Sequence, residues 1–192
     1  MMHVRRWTAG LLATVAAVAL VGCTSQSQEK SCGTTPDGVI ECAPDERSAP
    51  PKVAGELLTG GNYDVVQARG QVVVLNFWGS WCSPCRAEAD DLEATYQATK
   101  ASGVTFLGIN VQDNKDKALA FEQSFGISYQ SLFDPASRMA LALDIPPNTI
   151  PATVVLDREG RIAAVIRAAV KQEGLKPIVE RIAAEQPSSG PN

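Results

Sequence analysis

The residues of this chain best able to do chemistry are two cysteines separated by two residues, in Trp81-Cys82-Ser83-Pro84-Cys85. A thiolate is the nucleophile of disulfide exchange, and a cysteine in the first turn of a helix faces free backbone N–H groups and the positive end of the helix dipole. Lowering a thiol pKa from about 8.5 to about 7 takes roughly 2 kcal/mol. The helix end supplies about 0.3–2 kcal/mol of this, so other donors, Cys85 among them, must contribute. Pro84 lacks the N–H that would be unsatisfied there and fixes the first turn. The spacing puts the second sulfur one turn on. Cys82 is therefore expected to be the exposed attacker that forms a mixed disulfide with a substrate, and Cys85 the resolver on the buried side. A structural disulfide or half of a zinc site are the alternatives, and a position between strand and helix favours the redox reading.

That position follows from the pattern around the pair. Val72-Val73-Val74-Leu75-Asn76-Phe77 is an almost unbroken apolar, β-branched run, as in a strand buried on both faces. Behind it Cys85, Ala89, Leu92 and Tyr96 form one helical stripe. Val104 to Asn110 reads as a second buried strand, and Asp113 or Asn114 as the cap of a helix running to Phe125. Asp134-Pro135 predicts an N-cap with proline at the first helical position, opening a short helix to Leu143. Ala152 to Asp157 and Ile162 to Arg167 predict a hairpin across Arg158-Glu159-Gly160, antiparallel at a sheet edge. Leu175, Ile178, Val179, Ile182 and Ala183 mark one terminal helix. The order implies an α/β fold, a mixed sheet with helices on both faces, in a single domain over 53–187 with a disordered tail at 188–192.

The first residues read as an export signal. Arg5 and Arg6 precede an apolar run from Ala9 to Val21, shorter than the roughly 20 residues of a membrane-spanning helix. Leu20-Val21-Gly22-Cys23 resembles the lipobox of bacterial lipoproteins, which implies cleavage after residue 22 and acylation of Cys23. The expected location is extracytoplasmic, on the outer face of the cell membrane. Of the 17 basic and 21 acidic side chains, residues 1–22 hold only Arg5 and Arg6, so cleavage takes the formal charge from −4 to −6. An acidic chain without a basic patch argues against nucleic acid. Cleavage also removes His3, the only histidine, and with it any Ser-His-Asp or Cys-His machinery and any histidine metal site. Residues 23–52, rich in Ser, Thr, Gln, Pro and Glu, read as a flexible tether. Within it Cys32 and Cys42 flank the turn signal Pro36-Asp37-Gly38. In an exported chain they are expected to form a small structural disulfide, the sharper alternative being a second redox pair that relays electrons. Their spacing fits no usual zinc pattern, and neither metal nor cofactor is expected.

Phe77-Trp78-Gly79-Ser80-Trp81-Cys82-Ser83-Pro84-Cys85-Arg86-Ala87-Glu88 resembles the active-site segment of the thioredoxin-like lipoproteins and membrane-tethered proteins grouped as TlpA and ResA. Thr149-Ile150-Pro151-Ala152-Thr153 matches the loop in which that superfamily carries a cis-proline facing the cysteines. The resemblance implies a thioredoxin-like fold, extracytoplasmic disulfide reduction and a part in cytochrome c maturation. It also implies a cis bond before Pro151, with Trp81, Ile150 and Pro151 as substrate contacts, and Asn76 where cytosolic thioredoxins carry a buried aspartate. Glu88 matches an active-site acid of the group; the plainer alternative is a solvated first-turn carboxylate. Expected partners are exported cysteine-bearing substrates, a membrane electron-donor protein and the membrane itself through the lipid. Two other functions compete. One is an oxidase that introduces disulfides, for which Ser83-Pro84 offers no stabilising cation. The other is a non-enzymatic binding lipoprotein that retains the fold.

Overall fold

The computed structural model describes residues 32–48 and 52–186. The signal segment, Cys23 and the tail at 188–192 lie outside the described residues. In chain order the strands are β1 (Gly33–Thr34), β2 (Ile40–Glu41), β3 (Ala54–Glu56), β4 (Asn62–Asp64), β5 (Val72–Trp78), β6 (Val104–Val111), β7 (Gln130–Asp134), β8 (Ala152–Leu156) and β9 (Ile162–Ile166). The helices are α1 (Ser83–Thr99), α2 (Lys115–Phe125), α3 (Arg138–Ala142) and α4 (Gln172–Ala183). Seven strands make one mixed sheet in the order β1-β2-β9-β8-β5-β6-β7, parallel across β5, β6 and β7 and antiparallel elsewhere. The β3–β4 hairpin lies against the β7 edge through a bridge between Leu57 and Leu132.

Every residue of β5 is buried, because the sheet is covered on both sides. On one face Val73, Leu75 and Phe77 pack with Met139, Ala140 and Leu143 around α3. On the other, Val72 and Val74 pack with Leu92 of α1 and with Leu175, Val179 and Ile182 of α4. Helix α2 closes the end of that face, where Ala118 and Phe121 meet Trp78 and Cys85. Two parallel crossovers in the same direction along the sheet put α1 and α2 on one face and the C-terminal ends of β5 and β6 at one rim. The cysteine pair sits there. Among the described residues no helix is long and apolar enough to cross a membrane.

Four local expectations change. The described part of the expected tether, residues 32–48, belongs to the sheet: Ile40 and Glu41 of β2 pair with Val165 and Ala164 of β9, and the Cys42 N–H donates to the Ala163 carbonyl. The β8–β9 hairpin is consequently not at an edge, since β2 occupies the free side of β9. Asp134 ends a strand instead of capping a helix directly. Ser137, at φ 55°, turns the chain, and the Asp134 carboxylate then accepts from the Arg138 and Met139 N–H groups at the start of α3. Strands β3, β4 and β7 were not marked by the apolar periodicity.

What secures the N-terminal segment is Arg47, whose side chain is 2% exposed. Its guanidinium meets Asp157 at 3.1 Å and grips both oxygens of Glu185 at 2.6 and 2.7 Å, while its Nε donates to the Cys42 carbonyl. Truncating one member of a buried ion cluster leaves the others desolvated and unpaired, which costs about 3–5 kcal/mol. Asp157 keeps Arg161 as a partner, so Arg47→Ala should lower the unfolding free energy by about 3 kcal/mol, the bottom of that range, in urea titration. A loss below about 1 kcal/mol would mean that the segment contributes little to the domain.

Candidate active site

The turn from β5 into α1 is built by short-range bonds. The Cys82 N–H donates to the Gly79 carbonyl at 3.0 Å, and Cys82 is the N-cap of α1, with extended backbone and its Sγ accepting the Cys85 N–H at 3.2 Å. Pro84 follows in the first turn, as the sequence predicts. Cys82 and Cys85 are joined in a disulfide with Cα atoms 5.3 Å apart. A β-carbon at residue 79 would stand 2.7 Å from the Trp81 indole nitrogen, so Gly79 lets that ring fold back over the turn. The indole N–H then donates to the Gln112 carbonyl at 2.9 Å, and the ring remains 53% exposed.

A second anchor comes from the loop after β6. Asp113 accepts from the Ser80 N–H at 2.6 Å, the Ser80 hydroxyl at 2.8 Å, the Asn110 amide at 2.9 Å and the Asn114 N–H at 2.8 Å. Burial alone would raise the Asp113 carboxyl, but these donors outweigh it and hold it below its ordinary value. The loop entering Cys82 is thereby fastened to the neighbouring parallel strand. Sequence reasoning took Asp113 only as a possible cap. The available signal was its place just beyond the C-terminal end of a parallel strand next to β5, the rim where α/β folds gather their sites.

Glu88 is wholly buried, not solvated. Its Oε1 accepts from the Asn76 amide and its Oε2 from the Val170 N–H, each at 2.9 Å. Asn76 also reaches the Thr153 hydroxyl at 3.4 Å, which connects the acid to the strand that follows Pro151. Burial pushes the Glu88 carboxyl up to about 7, against the Val170 and Asn76 hydrogen bonds and with a contribution from the Asp91 charge. An acid of that pKa, one turn along α1 from Cys85, can hold or release a proton near neutrality.

The structure brings most of the expected residues together. The Ile150–Pro151 peptide is cis, and Ile150 packs against the cluster that contains Cys82, Cys85, Trp78 and Phe121. The exposed attacker is not seen in this state: Cys82 is 3% exposed and Cys85 2%. In the disulfide the Cys82 sulfur is bonded to the buried Cys85 sulfur and accepts the Cys85 N–H. The cysteines of the N-terminal segment are bonded to each other, Cys32 to Cys42, beside strands that β9 and β8 separate from β5. Cys42 is level with Ala163, towards the far end of the sheet from the site. Sequence reasoning missed Val170, whose contribution is a backbone N–H and leaves no signature in residue type. Arg86, beside Cys85, was also missed; its guanidinium lies over the rings of Phe121 at 5.7 Å and Phe125 at 5.2 Å.

The chain is similar to known proteins in sequence and fold. The AhpC/TSA family profile matches residues 47–165, more than half of the chain. Thiol-disulfide oxidoreductase ResA of Geobacillus thermodenitrificans is 30% identical over 125 residues, which cover 65% of this chain and 71% of that protein. The thiol:disulfide interchange protein DsbE of Allochromatium vinosum is 35% identical over 123 residues, 62% of this chain and 65% of that one. A secreted thiol-disulfide isomerase from Corynebacterium glutamicum superposes with a TM-score of 0.74 at 35% identity, covering 80% of this chain and 98% of that structure. A cysteine pair capping α1, a cis-proline loop packed against it and these likenesses lead to one conclusion: the chain belongs to the AhpC/TSA family and is a thioredoxin-like thiol–disulfide oxidoreductase of the ResA and DsbE type.

Proposed function

We propose that the protein reduces disulfides of exported proteins, with Cys82 as attacker and Cys85 as resolver, and that it works outside the cytoplasm on a lipid anchor at Cys23. The Cys82 thiolate attacks one sulfur of the substrate disulfide, and the other substrate sulfur leaves as a thiolate. Cys85 then attacks the Cys82 sulfur, which releases the second substrate thiol and closes the Cys82–Cys85 disulfide; a membrane dithiol donor reopens it. Trp81, Ile150 and Pro151 border the pair and are suited to an extended peptide around a cysteine, such as the haem-attachment segment of an apocytochrome c. The location is supported by the lipobox-like Leu20-Val21-Gly22-Cys23 and by the secreted relative from Corynebacterium glutamicum.

The observation that carries the direction is the buried Glu88 carboxyl one turn from Cys85, with no cation between the cysteines. A strong oxidant stabilises its thiolate, and a neighbouring carboxylate does the reverse. One observation favours the alternative, a disulfide-forming oxidase: the Cys82 sulfur accepts the Cys85 N–H at the helix N-terminus, which stabilises a thiolate there. Equilibrating the purified protein with dithiothreitol and glutathione buffers decides between them. The reductase reading expects a potential nearer the thioredoxin value of about −270 mV than the value of about −120 mV for a strong oxidant. A potential near the latter establishes the oxidase.

A further inference from the structure

Against Cys85 lies a small cavity that the exchange chemistry above leaves unused. It is lined by Asn76 and Trp78 of β5, Cys85 of α1, Glu122 of α2, Ser131 of β7 and Tyr129, and has room for one water-sized sphere, about 10 Å³. Two of its polar atoms, Glu122 Oε1 and Ser131 Oγ, are sealed from solvent without a well-formed hydrogen bond, although the Ser131 hydroxyl lies close enough to Glu122 to hold its carboxyl down. Buried polar atoms are ordinarily paired, so two orphans on one wall call for a bridging water or a shared proton. Gly108 makes the arrangement possible: a β-carbon there would lie 2.1 Å from Ser131 Oγ and 2.7 Å from the Trp78 indole nitrogen.

We propose that Glu122 and Ser131 hold a one-water proton path to Cys85, in which Glu122 takes the Cys85 proton as that thiol resolves a mixed disulfide. In this step the Cys85 S–H bond breaks and its proton passes through the water to the Glu122 carboxylate. The Cys85 sulfur then bonds to the Cys82 sulfur, and the bond from Cys82 to the substrate breaks, its electron pair leaving on the substrate thiolate. The residue as a whole is only half-buried, so Glu122 lies between the cavity and solvent and can return the proton outward. Burial raises its carboxyl above the ordinary value, opposed by the hydrogen-bonding Ser131 hydroxyl. Other charged and titratable groups face this region. Arg86 on α1 stacks over Phe121 and Phe125 on either side of Glu122, while Glu88, Glu93 and Glu122 together push the Tyr129 phenol up, after burial itself. Glu88, held by Asn76 and Val170, is a separate acid with its own partners.

The inference rests on the disulfide-exchange reading, and its test separates the two. The reduced full chain is mixed with excess of a peptide disulfide at pH 5 to 9. Formation of the mixed disulfide is followed as the concentration-dependent phase and resolution as the concentration-independent one. Glu122→Gln keeps the shape and removes the acid; it should slow resolution about tenfold at pH 7, leave the first phase unchanged and lose the difference at high pH, where hydroxide replaces the carboxylate. Ser131→Ala should slow resolution about threefold in the same pattern, and provides the test should Glu122→Gln fail to fold. Equal slowing of both phases, or an unchanged pH profile of resolution, overturns the proton path while leaving the oxidoreductase intact. No exchange by the unaltered protein would instead remove the disulfide-exchange reading, and the inference with it.

Discussion

Replacing Cys85 with serine turns the protein into a trap: substrate stays attached to Cys82 as a mixed disulfide, because the attacking sulfur remains while its resolver is gone. Turnover with a peptide disulfide falls to background, and non-reducing electrophoresis with mass spectrometry finds the adduct on Cys82. Cys82→Ser loses turnover equally but accumulates no comparable adduct, since Cys85 lies inside the helix behind the N-cap position. The assignment rests on that placement. Both sulfurs are buried in the disulfide state, so access to Cys82 arises once the bond opens and its sulfur is released from Cys85. A third protein, with both Cys32 and Cys42 changed to serine, should trap nothing and retain turnover. The disulfide removed there is separated from β5 by β9 and β8 and closes only a short local loop. Equal trapping by the two active-site variants would reverse or abolish the division of roles. Bridging of Cys32 or Cys42 to the active-site pair during turnover would make them a relay.

Glu88→Gln should change stability and redox poise together. The folded-state carboxyl, raised by burial to about 7, stands well above its ordinary value of 4.5. For an acid raised in this way, the contribution to stability is fully present below about pH 4.5 and is lost as pH rises through about 7. At 1.36 kcal/mol per pKa unit, the loss across that window is about 3 kcal/mol. Urea titrations of the oxidised protein should show this decline, and Glu88→Gln should remove the Glu88 share of it, leaving the contribution of Glu122, whose carboxyl burial also raises. Below that window both proteins weaken alike as Asp91, held low by the Gln172 N–H, and Asp113, held low by its four donors, become protonated. Glutamine is accommodated because the Asn76 amide can turn to accept from it, while the Val170 N–H keeps an oxygen acceptor. Removing the charge also relieves repulsion of the thiolate in the reduced protein. The thiol pKa should fall and the reduction potential rise by tens of millivolts, for a coupling of about 1–2 kcal/mol. An unchanged potential together with an undiminished pH-dependent loss of stability would separate Glu88 from the cysteines.

Much of the site could be read from neighbouring residues because its chemistry is local. Seven buried positions in a row, a cysteine at the N-cap, Pro84 in the first turn and the apolar stripe of α1 are properties of one continuous stretch. The stripe of α4 was equally plain, since Leu175, Val179 and Ile182 all face the core at helical spacing. Glu88 was marked by the family resemblance, but its burial was not legible. A glutamate in the first turns of a helix usually faces water, and here the segment before α4 crosses over it and offers the Val170 N–H.

By itself, then, the sequence determined the strand, turn and helix that carry Cys82 and Cys85, because sterics and hydrophobic period act between residues close along the chain, while the loop that carries Pro151 was marked by the family resemblance. Tertiary structure alone decided the rest. Strands β1 and β2 are two residues each, too short for any periodicity to mark, and exist because β9 offers an unpaired edge and Arg47 finds Asp157 and Glu185 far along the chain. Asp113 became the anchor of the Cys82 loop only when β6 was laid beside β5. Whether an acid is solvated at pKa 4.5 or held near 7 depends on what covers it, and that is fixed by contacts across the fold that no local pattern contains.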